Sequence, residues 1–186
     1  MDGDRDAAVL HLRTERLQLV AATLELVQAE RAGPKHLEKL LGAHVPPSWP
    51  PPLNDASTLR WTIDHLRADP GAVGWVCWYF LHREHAELRA VGQGGFCGRP
   101  TSEGAVEVGY SIVPECHRFG FAPEAVRALV AWAFGHAEVQ RVLAHTLPAL
   151  LPSIRVLEKC GFRSAGAGIE PGTVRYALER PALSRR

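Results

Sequence analysis

The sequence has no hydrophobic run long enough to cross a membrane. Its longest nearly unbroken apolar stretch, residues 72–81, is far shorter than the roughly 18 residues that a transmembrane helix needs. The N-terminal stretch MDGDRD also lacks the basic and apolar segments of a secretion signal. We therefore expect a cytoplasmic protein that has no membrane partner.

An excess of charge of one sign is also missing. The 21 Lys and Arg residues balance 20 Asp and Glu residues, so the formal net charge at pH 7 is +1. Nucleic-acid-binding domains usually carry a clear basic excess. We therefore expect no nucleic-acid partner, and an anionic ligand would have to be bound by local structure.

Metal-binding and disulfide patterns are absent as well. The four cysteines are widely spaced without a C-x-x-C motif, and no two of the nine histidines stand four residues apart with a third ligand nearby. Structural zinc sites and disulfide frameworks normally show such spacings. We therefore expect unpaired thiols and no metal.

What the sequence does contain is typical of a globular protein. Its 186 residues are 46% apolar and 22% charged, which predicts a single domain over residues 1–186 with a flexible segment at 1–8. Three apolar stretches joined by short polar turns predict an antiparallel meander of strands at residues 74–81, 88–97 and 105–113.

The apolar spacing changes to a helical period after the third of these strands. One face of the predicted helix carries Val126, Leu129, Val130, Ala133 and Phe134. A strand at 141–147 follows, so the strands on either side of this helix should be parallel. Four further helices are predicted: 24–32, 36–41, one from Asp55 or Ser57 to about 67, and 153–159. With a last strand at 174–179, these elements predict an α+β fold.

The turn before the long helix could bind an anion. Backbone N–H groups at the start of a helix have no acceptor within the helix, and the macrodipole adds partial positive charge there. Gly120 would let the backbone approach a ligand, and Pro123 would stand where the helix needs no N–H. An ordinary strand-to-helix connection is the alternative interpretation.

This turn resembles motif A of the GNAT acetyltransferases, in which [Q/R]-x-x-G-x-[G/A] binds the pyrophosphate of acetyl-CoA; residues 117–122 read HRFGFA. Three further blocks resemble the RimJ/RimL-like branch of that family: TERLQL at 14–19, EVGY at 107–110 and SIRVLEKCGF at 153–162. The resemblance implies a GNAT fold, with helices flanking a mixed, mostly antiparallel sheet. It also implies acetyl-CoA as co-substrate, bound by Arg118, Phe119, Gly120, Phe121 and Ala122.

The same resemblance places catalytic groups near the third strand. Glu107 alternates onto a face whose other residues are small, and it would be the general base, acting through water. In GNAT folds this strand splays from the next parallel strand, so Ile112 and Val113 would offer free N–H groups to the thioester carbonyl and to the tetrahedral oxyanion. Ser153 would be the acid for the departing CoA thiolate.

Plain structural roles are the alternatives for these candidates. Glu107 would otherwise be an exposed strand carboxylate, and Ser153 would cap the last helix. His117 and His145 are the histidines nearest to the predicted site, and we interpret them as structural or solvated rather than catalytic.

Trp49 is predicted to bind the acceptor substrate. It stands in the proline-rich segment 46–52, outside any apolar periodic stretch, and could form an aromatic wall of the acceptor pocket. The other tryptophans lie in apolar periodic stretches and are predicted to belong to the core: Trp61, Trp75, Trp78 and Trp132.

We therefore predict an N-acetyltransferase that moves the acetyl group of acetyl-CoA directly to a primary amine, either a protein N-terminal α-amine or a small molecule. Its partners would be these two substrates, and a homodimer is compatible with the family. A non-catalytic acyl-CoA-binding or interaction module is the alternative, because four positions depart from the family pattern: His117, Phe119, Pro123 and Leu150. A resistance-type enzyme for small molecules is a third hypothesis.

Overall fold

Eight strands form one sheet in the computed structural model, which describes residues 9–84 and 86–182. In chain order the strands are β1 (His11–Arg13), β2 (Leu17–Ala21), β3 (Cys77–Glu84), β4 (Glu87–Phe96), β5 (Ala105–Ile112), β6 (Arg141–Thr146), β7 (Arg163–Ala167) and β8 (Val174–Glu179). Across the sheet they are ordered β1-β2-β3-β4-β5-β6-β8-β7, and every neighbouring pair is antiparallel except β5 and β6. Residues 1–8, predicted to be flexible, lie outside the described residues.

In the described part of the chain, five α-helices flank this sheet: α1 (Leu24–Ala32), α2 (Pro34–Leu41), α3 (Ala56–Ala68), α4 (Phe121–Phe134) and α5 (Leu151–Lys159). Two of them begin at a side-chain cap: Thr23 accepts from an N–H of α1, and Asp55 accepts from two N–H groups of α3. Such caps satisfy backbone donors that the helix itself leaves free. The predicted α+β class with a mixed, mostly antiparallel sheet is confirmed.

The sheet separates two hydrophobic cores. On one face α4 packs against alternate residues of β5, including Val106 and Val108, which are buried with Leu129 of the helix. On the other face α1, α2 and α3 cover β2 and β3, where Tyr79 and Leu81 are fully buried. The predicted meander is β3-β4-β5, and the predicted parallel crossover is β5-α4-β6.

Two expectations from the sequence are corrected by the structure. Strand β7 was not predicted, because its sequence RSAGA is small and mostly exposed, so it has no apolar alternation. Trp61 was assigned to the core, but 37% of its surface is exposed, it lines the large cleft described below, and its ring centroid lies 3.9 Å from that of His65. Trp75 and Trp78 are buried as predicted.

Within residues 9–84 and 86–182, no helix combines the length and the apolar character needed to span a membrane.

Candidate active site

A gap opens in the middle of the sheet between its two parallel strands. β5 and β6 are paired only from Ala105 to Glu107, although β5 continues to Ile112 and β6 to Thr146. Beyond the last pair, the two strands border a cleft of about 1920 Å³. The splay expected from the family resemblance is therefore present.

The two N–H groups predicted to face this gap behave differently. The prediction for Val113 is wrong, because its N–H donates to the carbonyl of Val91 on β4 at 2.9 Å. Backbone groups of neighbouring strand residues point to opposite sides of the strand, so the N–H of Ile112 points towards β6, where pairing has already ended. The free donor at Ile112 therefore stays a prediction that the strand geometry allows, whereas the N–H of Val113 is bonded.

His117 contacts the same part of the strand. Its Nε2 atom lies 2.9 Å from the carbonyl oxygen of Ile112, and a proton on Nε2 lets the ring donate to that oxygen. The carbonyl of Ile112 thereby has a hydrogen-bond partner, and the N–H of Ile112 is the backbone group of this residue that could bind a ligand. His117 has a structural contact here, in line with its interpretation from the sequence.

Helix α4 begins at the turn that was predicted to bind pyrophosphate. Gly120 precedes the helix in the left-handed region, with φ 81°, where a β-carbon is unfavourable. Because Pro123 has no N–H, the donors left free at this helix start belong to Gly120, Phe121 and Ala122. These are three of the predicted cofactor residues.

The other two residues of this turn that were predicted to bind the cofactor are exposed, and of the two Arg118 lines the cleft whereas Phe119 does not. Arg118 is exposed and adopts a positive φ of 67°. Phe119 is 61% exposed, and its ring stacks on Phe121 with the centroids 5.9 Å apart. Arg118 lines the cleft together with three further basic side chains that were not predicted from the sequence: Arg31, Arg155 and Lys159.

Arg16, which lies in the bend between β1 and β2, contacts this turn, and no role for it was predicted from the sequence. Its Nη1 donates to the carbonyl of Phe119 at 2.8 Å, and its Nε donates to Glu124 at 2.8 Å. Thr14 also donates to Glu124. Burial opposes the charge of this carboxyl, but the hydrogen bonds from Thr14 and Arg16 outweigh it and lower the pKa of Glu124. Its negative charge at the helix start is thus compensated by Arg16.

Glu107 and His145 form a pair in the wall of the cleft. The Nδ1 atom of His145 lies 2.9 Å from a carboxylate oxygen of Glu107, and their side chains are 12% and 34% exposed, respectively. The Nε2 atom of His145 is buried and has no hydrogen-bond partner among the described residues. Because Glu107 is paired with Leu143 across the parallel strands, a residue two positions further along β6 shares its face.

The sequence predicted β5 and β6 as parallel strands, but the register that brings these two residues together is a tertiary feature that no local pattern gives. Gly109 lies on the same strand beside the pair and leaves open space there, because an added β-carbon would meet no atom within 4 Å. Glu107 is thus partly exposed beside open space, and His145 supports it from the interior.

Ser153 lies inside α5 rather than at its start. The helix begins at Leu151, and the residue before it, Leu150, makes no side-chain cap, so the capping alternative for Ser153 is wrong. The hydroxyl of Tyr110 lies 3.1 Å from the carbonyl oxygen of Ser153 and 3.3 Å from its Oγ. Burial raises the pKa of Tyr110 to about 12, so its phenol keeps its proton at neutral pH. The two hydroxyls could supply or relay a proton at this point.

Trp49 lines the same cleft on the side of α1 and α3. Its indole N–H donates to Glu30 at 2.7 Å, and its ring lies 6.1 Å from that of Tyr79. The preceding residue, Ser48, donates to Glu115 at 2.7 Å, which ties the proline-rich segment to the turn after β5. The structure therefore brings Trp49 into one cleft with Glu107, as a pocket wall would require.

The cleft has the features that a nucleotide thioester needs. The N–H groups at the start of α4 suit a diphosphate. The gap between β5 and β6 after Glu107 suits the extended arm of such a thioester. On β6 beside this gap, the buried hydroxyl of Thr146 has no hydrogen-bond partner among the described residues. Within residues 9–84 and 86–182, no group of three or more His, Cys, Asp or Glu side chains is placed to hold a metal ion.

Comparison with known proteins gives matches over most of the chain. The protein-family model for the acetyltransferase (GNAT) domain matches residues 16–163. YjdG of Bacillus subtilis strain 168, described as an uncharacterized N-acetyltransferase, is 28% identical over 151 residues, which cover 81% of this chain and 88% of YjdG.

Solved structures share the fold at low sequence identity. The ribosomal-protein-S5-alanine acetyltransferase of Vibrio fischeri has a TM-score of 0.63 and 16% identity, with 95% of this chain and 100% of that one covered. The microcin C7 self-immunity acetyltransferase MccE, solved in complex with acetyl-CoA and AMP, has a TM-score of 0.61 and 14% identity, with 89% and 93% covered. The GNAT fold expected from the motifs is confirmed.

Proposed function

The chain belongs to the GNAT family of acetyltransferases, and we propose that it transfers the acetyl group of acetyl-CoA directly to a primary amine. The observation that carries this proposal is the Glu107–His145 contact, which lies in one cleft with the turn before α4 and the gap after β5. A base, an anion site and an oxyanion donor are the groups that direct acyl transfer to an amine requires. The cytoplasm stays the predicted compartment.

The start of α4 would hold the pyrophosphate of acetyl-CoA. The N–H groups of Gly120, Phe121 and Ala122 supply donors, and the helix macrodipole supplies partial positive charge. Arg16 forms an ion pair with the carboxylate of Glu124, so the negative charge of Glu124 repels the phosphates less. Arg118 adds an exposed positive charge at the mouth of the cleft.

Ile112 would stabilise the reacting carbonyl. Its N–H faces the gap where β5 and β6 have separated, and a fixed backbone donor stabilises negative charge as it develops on a thioester oxygen. When bound, acetyl-CoA supplies an acetyl group already activated as a thioester, so the protein has to orient it and to manage protons.

Glu107 would remove the proton from the acceptor amine, through water, and His145 would hold the carboxylate in position. The demand on this base depends on the acceptor: at pH 7 an α-amine with a pKa near 7.8 is roughly 15% neutral, whereas a lysine amine near 10.4 is about 0.04% neutral. His145 is a positioning residue in this scheme, because it contacts Glu107 and is more deeply buried than Glu107.

Tyr110 and Ser153 would deliver a proton to the departing CoA thiolate. Their hydroxyls lie 3.3 Å apart beside the gap, and the phenol keeps its proton at neutral pH. A thiolate is a good leaving group, since an ordinary cysteine thiol has a pKa of about 8.5. The acid therefore contributes less to the rate than the base does.

Within the family, we place the chain in the RimJ/RimL-like branch. The blocks TERLQL, EVGY and SIRVLEKCGF support this assignment. One structural neighbour is named as a ribosomal-protein-S5-alanine acetyltransferase, and we test a protein N-terminal α-amine as one of two acceptor classes. Small-molecule amines are the other.

The test measures CoA release from acetyl-CoA with a panel of peptides and small amines. We expect amine-dependent release of free thiol, an acetylated product by mass spectrometry and acetyl-CoA binding by calorimetry. Binding without transfer to any amine would instead support the non-catalytic acyl-CoA-binding module, and absence of binding would contradict both.

A further inference from the structure

Glu30 is an acid in the wall of the cleft that the transfer mechanism does not use. It belongs to α1, and its two carboxylate oxygens accept hydrogen bonds from two aromatic side chains. The indole N–H of Trp49 lies 2.7 Å from one oxygen, and the hydroxyl of Tyr79 lies 2.6 Å from the other. The carboxylate is therefore fixed in place by donors from the proline-rich segment and from β3.

Among the residues that the structure describes, the carboxylate of Glu30 has no ionic partner. Within residues 9–84 and 86–182, no Lys, Arg or His nitrogen lies within 4.0 Å of it. Charges withdrawn from water are normally paired. Burial raises the pKa of Glu30, although the bonds from Tyr79 and Trp49 oppose this effect. An unpaired acid therefore lies beside the cleft at a cost to the folded protein.

We propose that Glu30 binds a second cationic group of the amine acceptor, an inference that rests on the proposed acetyl transfer. The acceptor would then carry one amine that is acetylated near Glu107 and one positive charge that pairs with Glu30. The ring of Trp49, which lines the cleft, would add a favourable cation–π contact for the same group.

The sheet sets the distance between the two groups. Tyr79 on β3 is paired with Gln93 on β4, which is paired with Ser111 on β5. Glu30 is held over β3 and Glu107 belongs to β5, so at least two strand spacings, about 10 Å, separate them. The acceptor class is therefore an extended molecule with two separated cations, either a small diamine or a peptide whose basic side chain lies near its N-terminus.

The test compares acceptors that differ only in the second charge. Diaminooctane is paired with octylamine, and alanyl-lysine amide is paired with alanyl-norleucine amide. We expect kcat/KM to be roughly 10- to 100-fold higher for the charged member of at least one pair, as a charge-assisted hydrogen bond would give. The pair with the larger ratio identifies a small diamine or a basic peptide as the source of the second cation.

The variant Glu30→Gln should bring this ratio close to one while transfer to the singly charged amine continues. Glu25→Gln is the matched control, because Glu25 is an exposed acid on the same helix and should leave the ratio unchanged. Glu30→Met serves as a second variant without charge if Glu30→Gln does not fold.

Binding without turnover separates this inference from the proposed function. Calorimetry with CoA and diaminooctane or alanyl-lysine amide should show binding to the wild type and to Glu25→Gln, and at least tenfold weaker binding to Glu30→Gln. Equal binding to all three proteins, or binding to none, overturns the role of Glu30. Failure of acetyl transfer alone contradicts the proposed function and leaves the calorimetric comparison to decide on Glu30.

Discussion

The Nδ1 atom of His145 lies 2.9 Å from a carboxylate oxygen of Glu107. The residues are 38 positions apart in the sequence (145 − 107) and come together only because β5 and β6 are parallel neighbours. A carboxylate that is supported from the interior and open towards a cleft is suited to remove a proton repeatedly from the same position.

Replacement of Glu107 by Gln should lower kcat by roughly 10²- to 10⁴-fold and leave acetyl-CoA binding near the wild-type value, because only proton removal is lost. The loss should shrink as the pH rises from about 6.5 to about 9, since more of an α-amine acceptor is then already neutral. Steady-state kinetics over this range checks the prediction, and unchanged activity at the lower pH would return Glu107 to the role of a solvated strand residue.

His145 provides the control for this result. His145→Leu should lower kcat by roughly 10- to 100-fold through misplacement of the carboxylate. His145→Asn can still donate a hydrogen bond from a similar position, and it should recover much of the activity. If both variants lose the same amount of activity, His145 does not act by orienting Glu107.

Gly120→Val should abolish the thermal stabilisation by acetyl-CoA. The wild type should gain about 2.7 kcal/mol at a hundredfold excess over Kd, whereas a β-branched side chain at φ 81° disfavours the turn and would lie against Arg16. Gly42→Val is the matched control, because Gly42 also has a positive φ, of 61°, but ends α2. Its melting temperature should fall, while its shift with acetyl-CoA should persist.

Arg16→Ala should weaken acetyl-CoA binding about 5- to 10-fold, because Glu124 would then face the phosphates without a compensating charge. Adding Glu124→Gln should recover part of this loss, since the repelling charge is gone. Arg13→Ala removes an exposed arginine of β1 and should bind normally. Calorimetry measures all four proteins, and equal affinities for wild type and Arg16→Ala would limit Arg16 to packing.

Trp49→Ala should raise the KM for the acceptor while acetyl-CoA affinity stays unchanged, because the ring lines only the acceptor side in our assignment. Trp49→Phe keeps an aromatic wall but loses the donor to Glu30, so its KM should lie between those of the wild type and Trp49→Ala. If acceptor kinetics stay normal and only the melting temperature or the assembly state changes, Trp49 has a packing role.

Glu30→Gln should make the protein more stable than the wild type at neutral pH. The pKa of Glu30 is raised in the folded state, so its stabilising contribution is complete below the unfolded value of about 4.5 and is lost as the pH rises through the folded value. The advantage of the variant should therefore shrink as the pH is lowered from about 8 to about 5. Thermal melts of wild type, Glu30→Gln and Glu25→Gln measure this, and an advantage that grows on acidification would contradict it.

Local patterns determined most of the fold in advance. The period of two in the meander and the period of 3.6 in α4 gave the strand and helix types, and glycine and proline positions gave the turn at Gly120. These features could be predicted because they depend on neighbours a few residues apart in the chain. Strand β7 could not, because its small, exposed residues carry no such period.

The composition of the site depended on contacts between distant segments. The sequence contains Glu107, Ser153 and Trp49 as candidates, but it does not contain the register that brings His145 to Glu107 or the helix boundary that removes Ser153 from a cap. The N–H of Val113 was expected to be free, and the course of β4 decided that it is bonded to Val91.

The sequence by itself therefore determined most of the secondary structure, the family and the position of the turn that we predict to bind an anion, because propensity and motif spacing are local properties. Only the tertiary structure decided which backbone donors face the gap, which side chain contacts Glu107 and which acid of the cleft, Glu30, has no ionic partner among the described residues. These outcomes are set by strand register and by packing between elements far apart in the chain, which no local pattern records.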